Sequence, residues 1–339
     1  MNKIIGIGNA LVDVLVQMND DSLLTSFHLP KGGMQLIDEQ QQQNLHLCMK
    51  TLNPKRATGG CASNTMLALA NLGMKPGFIG KIGRDETGSF FSETFRQLGI
   101  QTHLSLCDTS SGVANTFISA DGERTFGTYL GAAALMLADE ITPSMFHGYQ
   151  LLHIEGYLIQ NHELIEKICK TAKQEGLMLS IDLASYNVIQ NDLSFFRHLV
   201  KDYIDIVFAN EEECAAFTGK TDPKEGLKYI ALLCTLAIVK LGGKGATAMW
   251  GVSSNQYGEE AFAPAERVKV VDTTAAGDFF AAGFLYAFSK SASLEQCLQS
   301  GVLLSSNVIQ VIGTRLEEET WEKIRSSIKS LYQGARNKT

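Results

Sequence analysis

The chain has 339 residues, 45% of them apolar and 19% charged, with a net charge of −7 at neutral pH. That length buries a large core without disulfide or metal staples and fits one large α/β domain or two smaller ones. The acidic balance, with no Lys/Arg block, argues against nucleic acid as a partner, and seven scattered cysteines with no CxxC or Cys/His cluster read as reduced thiols. The N-terminus runs straight into a strand pattern and no apolar run reaches membrane-span length, so the expected location is cytoplasmic, with no membrane partner.

Residues 3–16 hold two apolar runs, I-I-G-I-G-N and V-D-V-L-V. The G-I-G-N-A-L start is not a dinucleotide fingerprint, because Leu11 stands where the third glycine is needed and no helix pattern follows. A dehydrogenase is thereby disfavoured. The chain stays extended to Val16, with Asn9 at a strand end and Asp13 just past it; alone, these are two polar turn residues. Residues 17–57 mix loop, short strand and a solvated, Gln-rich helix. At 58–73, T-G-G-C-A-S-N-T, a glycine turn, leads into a helix that stops at Gly73. A strand, the turn R-D-E-T-G and another helix fill 76–99.

Residues 100–130 alternate in period two around A-D-G-E, a hairpin signal with Asp121-Gly122 at the turn. This predicts a small antiparallel sheet apart from the main one. From about 139, helix and strand patterns alternate, the signal of a doubly wound α/β sheet with ligands at strand C-terminal ends, where Asp182 and Asn210 fall. Residues 235–251 give a buried strand, a glycine loop and a second strand; no Walker A loop occurs anywhere in the chain.

Val268–Phe284 reads V-K-V-V-D-T-T-A-A-G-D-F-F-A-A-G-F. The β-branched run predicts a strand, then a small-residue turn opening a helix with Asp278 in its first turn. Backbone N–H groups at such a helix start form an anion site, and the dipole favours an ionised carboxylate there. Ordinary capping explains the same residues. A helix over 293–310, a closing amphipathic helix over 316–332 and a frayed tail complete the chain.

In order, these segments resemble the motifs of the PfkB (ribokinase-like) carbohydrate and nucleoside kinases, nearest the adenosine kinase branch. The family loop D-T-T-G-A-G-D reads D-T-T-A-A-G-D here. Gly59, Gly60 and Asn64 match the first signature; Gly80, Gly83, Asp85 and Gly88 match a structural pattern; Asn210 and Glu213 match N-x-x-E. The resemblance implies a doubly wound, mostly parallel sheet flanked by helices, with a small antiparallel β lid. The lid would comprise 15–38 and 100–130; the core would comprise 1–14, 39–99 and 131–332, leaving 333–339 as a tail.

The resemblance also implies the chemistry, an ATP-dependent kinase phosphorylating the primary hydroxyl of a ribose-bearing substrate, foremost a nucleoside such as adenosine. Asp278 would be the base, with the amides of Ala275, Ala276, Gly277 and Asp278 stabilising the phosphoryl group. Asp13, Asn9, Gly59, Gly60 and Asn64 would hold the substrate. Lys240, Gly242, Gly245, Asn307, Asn210 and Thr274 would lie on the ATP side. Glu213 would hold Mg2+ through water, and I-G-T-R at 312–315 would help bind a monovalent cation such as K+. The expected assembly is a monomer or a lid-mediated homodimer. A free-sugar kinase and a non-catalytic nucleotide-binding regulator are the alternatives. Ala275 departs from the family's glycine; a helical φ there, with its N–H turned inward, is the expectation.

Overall fold

The structure, a computed structural model, describes residues 3–121 and 123–336. Among them, nine strands form the main sheet, in the order Glu260–Ala263, Ala246–Trp250, Leu236–Lys240, Ile206–Asn210, Met178–Asp182, Leu151–Glu155, Ile4–Ile7, Gly77–Gly83 and Gln101–Cys107. Pairing is parallel except for the two hairpin-connected strands at the 246–263 edge. Ile4, Leu151 and Ile206 pack on one face while their neighbours Ile5, Leu152 and Val207 pack on the other. Near-continuous apolar runs are what a parallel sheet covered on both sides requires.

Helices Cys61–Asn71, Ala276–Ser289, Leu294–Val308 and Glu318–Arg336 contribute to the first face; His162–Gln174, Leu193–Tyr203, Glu211–Thr218 and Pro223–Ala231 cover the second. Helix Ala276–Ser289 is fixed by Phe279 and Phe284, both fully buried, each supplying about 1.5–3 kcal/mol of transfer free energy. Its N-terminus is thereby held over the C-terminal ends of the parallel strands.

Five strands form a second sheet, in the order Met34–Leu36, Arg124–Tyr129, Gly112–Ile118, Leu11–Gln17 and Lys55–Gly59. Two of its pairings are antiparallel and two parallel. The expected boundaries shift in three places. Gln101–Cys107 belongs to the main sheet, at its edge and in parallel register with Gly77–Gly83. Residues 11–14 and 55–59 join the second sheet, where Leu11–Gln17 is sandwiched between two partners. The expected strand at 268–271 does not form. No sheet row adjoins it, and the Val271 and Asp272 N–H groups both donate to the Ile309 carbonyl.

The hairpin turn predicted at Asp121-Gly122 falls partly on Gly122, outside the described residues. The closing helix runs to Arg336, beyond the expected end at 332; residues 337–339 lie outside the description. Among the described residues no helix is long and apolar enough to cross a membrane.

Candidate active site

Four polar side chains end neighbouring parallel strands on the face covered by helices Cys61–Asn71 and Ala276–Ser289. They are Glu155, Asp182, Asn210 and Lys240, in register as Asp182 beside Glu155 and Asn210 beside Lys240. The period of two that buries Leu151, Ile206 and Leu236 beneath them sends all four the same way. Lys240 Nζ bonds Asp182 Oδ2 at 2.7 Å, and Ala184 N–H holds the other Asp182 oxygen at 3.1 Å. Burial works against the Lys240 charge, but Asp182, Glu213 and Asp278 outweigh it and keep the ammonium protonated.

Asp278 sits in the first turn of helix Ala276–Ser289, above this row. Asn64 Nδ2 donates to Asp278 Oδ2 at 2.8 Å, and Thr65 Oγ1 donates to the Asp278 carbonyl at 3.2 Å, tying the two glycine-led helices together. Burial pushes the Asp278 carboxyl up to about 7, helped by Asp182 and Glu155 and opposed by Asn64 and Lys240. Asn64 Oδ1 is a buried acceptor without a partner among the described residues.

The loop before this helix corrects one expectation. Ala275 is the N-cap and has φ 59°, the left-handed region. A Cβ there costs on the order of 1 kcal/mol, which fits glycine's usual presence at this position. Ala276 N–H donates to Thr273 O at 3.2 Å, so it is not free for a ligand. The N–H groups of Ala275, Gly277 and Asp278 have no acceptor within the chain among the described residues. Three amides without an acceptor, next to a helix dipole, remain.

On the other side, Gly60 caps helix Cys61–Asn71 at φ 95°, where a side chain would strike the Asn9 carbonyl. That helix has no side-chain cap of its own. Glu155 supplies one from across the sheet, accepting from Ala62 N–H at 3.3 Å while Asn9 Nδ2 donates to it at 2.5 Å. Burial raises the Glu155 carboxyl and these donors oppose the rise. Asn9 is therefore engaged with Glu155. Asp13 lies directly over Gly59, where a Cβ would collide with its carboxylate. Burial first and then Asp272 push the Asp13 carboxyl up to about 7.

Asn210 and Glu213 lock each other in a capping box: Glu213 Oε2 takes the Asn210 N–H at 2.8 Å and Oε1 takes Nδ2 at 2.7 Å. Burial raises the Glu213 carboxyl, with Lys240 opposing and Asp182 adding to the shift. With Glu213 and Asp182 both engaged, this donor set fits an Mg2+ ion that keeps its waters and meets the carboxylates through them. Gly242 and Gly243 open onto free space beyond Lys240, whereas a Cβ on Gly245 would strike the Ala263–Ala265 backbone. Asn307 spends its amide on the Leu303 carbonyl of its own helix, two residues before Ile309.

Beside the segment expected to hold a monovalent cation, Asp272 gathers three contacts. Asp272 Oδ1 takes the Thr274 N–H at 2.8 Å, and Oδ2 takes both Gly313 N–H and Arg124 Nη1 at 2.6 Å. The Ile309 carbonyl already accepts two N–H groups.

Sequence reasoning missed Glu155 as the cap of helix Cys61–Asn71 and Asp182 as the Lys240 partner. Their position at the ends of apolar strands was the available signal. Arg124 pairs with Asp272, 148 positions away, a contact that has no sequence signature.

A profile described as "pfkB family carbohydrate kinase" matches residues 34–321. The chain is 28% identical over 293 residues to the aminoimidazole riboside kinase of Salmonella typhimurium, covering 81% of this chain and 84% of that one. It is 27% identical over 298 residues to the 5-dehydro-2-deoxygluconokinase of Halalkalibacterium halodurans, covering 84% and 88%. The adenosine kinase of Sinorhizobium meliloti superposes with a TM-score of 0.84 at 30% identity, covering 96% of this chain and 99% of that one.

Proposed function

This chain belongs to the pfkB family of carbohydrate kinases, phosphotransferases with an alcohol acceptor, and we propose that it phosphorylates the primary ribose hydroxyl of a nucleoside with ATP. The observation that carries this reading is the Asn64–Asp278 contact beside the three amides without an acceptor. Asp278 accepts the hydroxyl proton as that oxygen attacks the γ-phosphorus and the bond to the β–γ bridging oxygen breaks, leaving ADP. A carboxyl pushed up to about 7 is well matched to this, since a base works best near the operating pH. The buried Asn64 Oδ1 and the Asp13 carboxylate accept from sugar hydroxyls. Ala275, Gly277 and Asp278 N–H groups meet the phosphoryl oxygens, and Lys240 adds a fixed positive charge beneath them. A bound Mg2+ neutralises phosphate charge, and Glu213 and Asp182 are the residues that would hold it through water.

Sheet register supports the nucleoside. Arg124 reaches Asp272 from the second sheet, so Phe126 and Thr128, two and four residues on, share its cleft-facing side. Met34 lies beside Phe126 and Leu36 beside Thr128, 55% and 54% exposed, while Asp13 lies on the same face opposite Ala114. One carboxylate for ribose and an apolar strip beyond it make a slot for a base. An ADP-release assay across adenosine, inosine, ribose, fructose and 5-dehydro-2-deoxygluconate tests this. Nucleoside turnover should exceed that of the free sugars; a free sugar turned over faster would overturn the nucleoside assignment.

A further inference from the structure

We propose that Thr65 is a positioning residue for the base: its hydroxyl and the neighbouring Asn64 amide grip Asp278 at two points and so aim its carboxylate. This rests on the kinase reading above. Thr65 is fully buried within helix Cys61–Asn71. A threonine inside a helix ordinarily turns its hydroxyl back to the carbonyl four residues earlier, and Thr65 Oγ1 does lie 3.1 Å from the Cys61 carbonyl. The same oxygen lies 3.2 Å from the Asp278 carbonyl, on helix Ala276–Ser289. One hydroxyl proton is thus shared between its own helix and the helix that carries the base.

Asn64 alone would fix one carboxylate oxygen of Asp278, at 2.8 Å. With Thr65 holding the carbonyl of the same residue, backbone and side chain of Asp278 are both set by two consecutive residues of one helix. That helix is in turn set by the main sheet, since Glu155 takes the Ala62 N–H in its first turn at 3.3 Å. The loop ahead of Asp278 has anchors of its own, the contacts of Asp272 with Thr274, Gly313 and Arg124. Losing the Thr65 hydroxyl therefore reaches the carboxylate before it reaches the phosphate-facing amides. A methyl group in its place cannot rest 3.2 Å from a carbonyl oxygen, because carbon–oxygen contacts settle at about 3.3–3.6 Å, so the two helices must also part slightly.

The test is the pH-resolved kinetics of Thr65→Val and Thr65→Ser, on whichever of adenosine, ribose and fructose releases ADP fastest, with ATP calorimetry on the same proteins. Thr65→Val should lower kcat about tenfold or more, since a small misplacement of a reacting group is costly, while the ATP Kd stays within about threefold of wild type. The acid limb of its kcat/KM profile should move up by about 0.5 pH unit or more, because the Asn64 donor holds the Asp278 carboxyl down and slackens with the grip. Asp182, Glu155, Lys240 and Cys61, the titratable groups that face Asp278, are the same in both variants. Thr65→Ser keeps the hydroxyl and should stay within about twofold of wild type. A rate loss with an unmoved acid limb overturns the proposal, as does a serine variant as slow as the valine one, since either makes Thr65 a packing residue. Should Thr65→Val fail to fold, Thr65→Ala, which adds no bulk, carries the same expectations. Wild-type turnover by Asp278→Asn removes the base and this inference with it, whereas wild-type turnover by Thr65→Val beside an inactive Asp278→Asn overturns this inference alone.

Discussion

Asn64 and Asp278 stand 214 residues apart, and the Asn64 amide donates to the Asp278 carboxylate at 2.8 Å. Each lies in the opening turns of a helix entered through a glycine- or alanine-led turn, and the two helices converge over the strand ends. The contact fixes the Asp278 rotamer. It leaves the second oxygen for a proton and leaves Asn64 Oδ1 for a hydroxyl.

Asp278→Asn should lower kcat/KM about 10²–10⁴-fold, the usual contribution of a general base, while the ATP Kd stays near wild type. The amide is isosteric, and the three N–H groups facing the phosphoryl site are backbone. Single-turnover kinetics with calorimetry on the same variant separate the two effects. Turnover at the wild-type rate would remove Asp278 as the base.

The raised Asp278 carboxyl sets a pH signature in both activity and stability. As a base it must be ionised, so kcat/KM should climb about tenfold per pH unit below about 7 and level off above it. Folding has the opposite preference. The folded carboxyl holds its proton more tightly than the unfolded one, so the stability it contributes is present in full below about pH 4 and is lost as pH rises through about 7. Asp278→Asn should therefore melt several degrees above wild type at pH 8 and converge with it near pH 4, on the order of 1–3 kcal/mol at most. Scanning calorimetry at the two pH values checks this.

What the sequence disclosed follows from how local each signal is. The two helix starts at 61 and 276 were legible because a glycine turn and the first helical turn lie within a few residues of each other. The parallel sheet was legible through strands such as Ile206–Asn210, apolar up to its last residue. Pairing across long distance was not. Nothing near Gln101–Cys107 announces that Gly77–Gly83 outcompetes the second sheet for it, and Glu155 capping a helix that begins at Cys61 depends on the fold being complete. Val268–Val271 has strand-forming residues and no row to join. The left-handed Ala275 also ran against propensity, since alanine's ordinary place is the helix.

That strained alanine gives a stability prediction. Ala275→Gly removes about 1 kcal/mol of left-handed strain. It also returns about 0.5 kcal/mol of freedom to the unfolded chain, so the net gain should be about 0.5 kcal/mol. Urea denaturation should show a small rise in midpoint with an unchanged slope, and turnover should stay close to wild type because the Ala275 amide is retained. A destabilised Ala275→Gly protein would mean the methyl group's packing against the surrounding core outweighs the strain.

Gly277 and Lys240 impose a stricter limit two residues further on. A Cβ on Gly277 would lie 3.0 Å from Lys240 Nζ, and that ammonium is held against Asp182. Gly277→Ala should push Lys240 from its place and weaken ATP binding about tenfold, since a charge-assisted contact is worth roughly 1.5–3 kcal/mol. ATP calorimetry reads it directly; affinity equal to wild type would mean that the ammonium yields without cost.

Asp13 separates a ligand from a structural residue most cleanly. Its carboxylate lies over Gly59 with no hydrogen-bond partner among the described residues, pushed up to about 7 by burial and by Asp272. Such a group is a burden on the folded state at neutral pH and above, and only a ligand repays it. Asp13→Asn should raise the nucleoside KM about 10–100-fold, the worth of hydrogen bonds to a charged acceptor, and leave the ATP Kd unchanged. The same variant should melt above wild type at pH 8, because the lost charge is one the fold disfavours. Gly59→Ala should mimic the KM effect by forcing the carboxylate aside, without that stability gain. Nucleoside affinity and melting temperature falling together in Asp13→Asn would make Asp13 part of the scaffold, and the ribose would have to be held elsewhere.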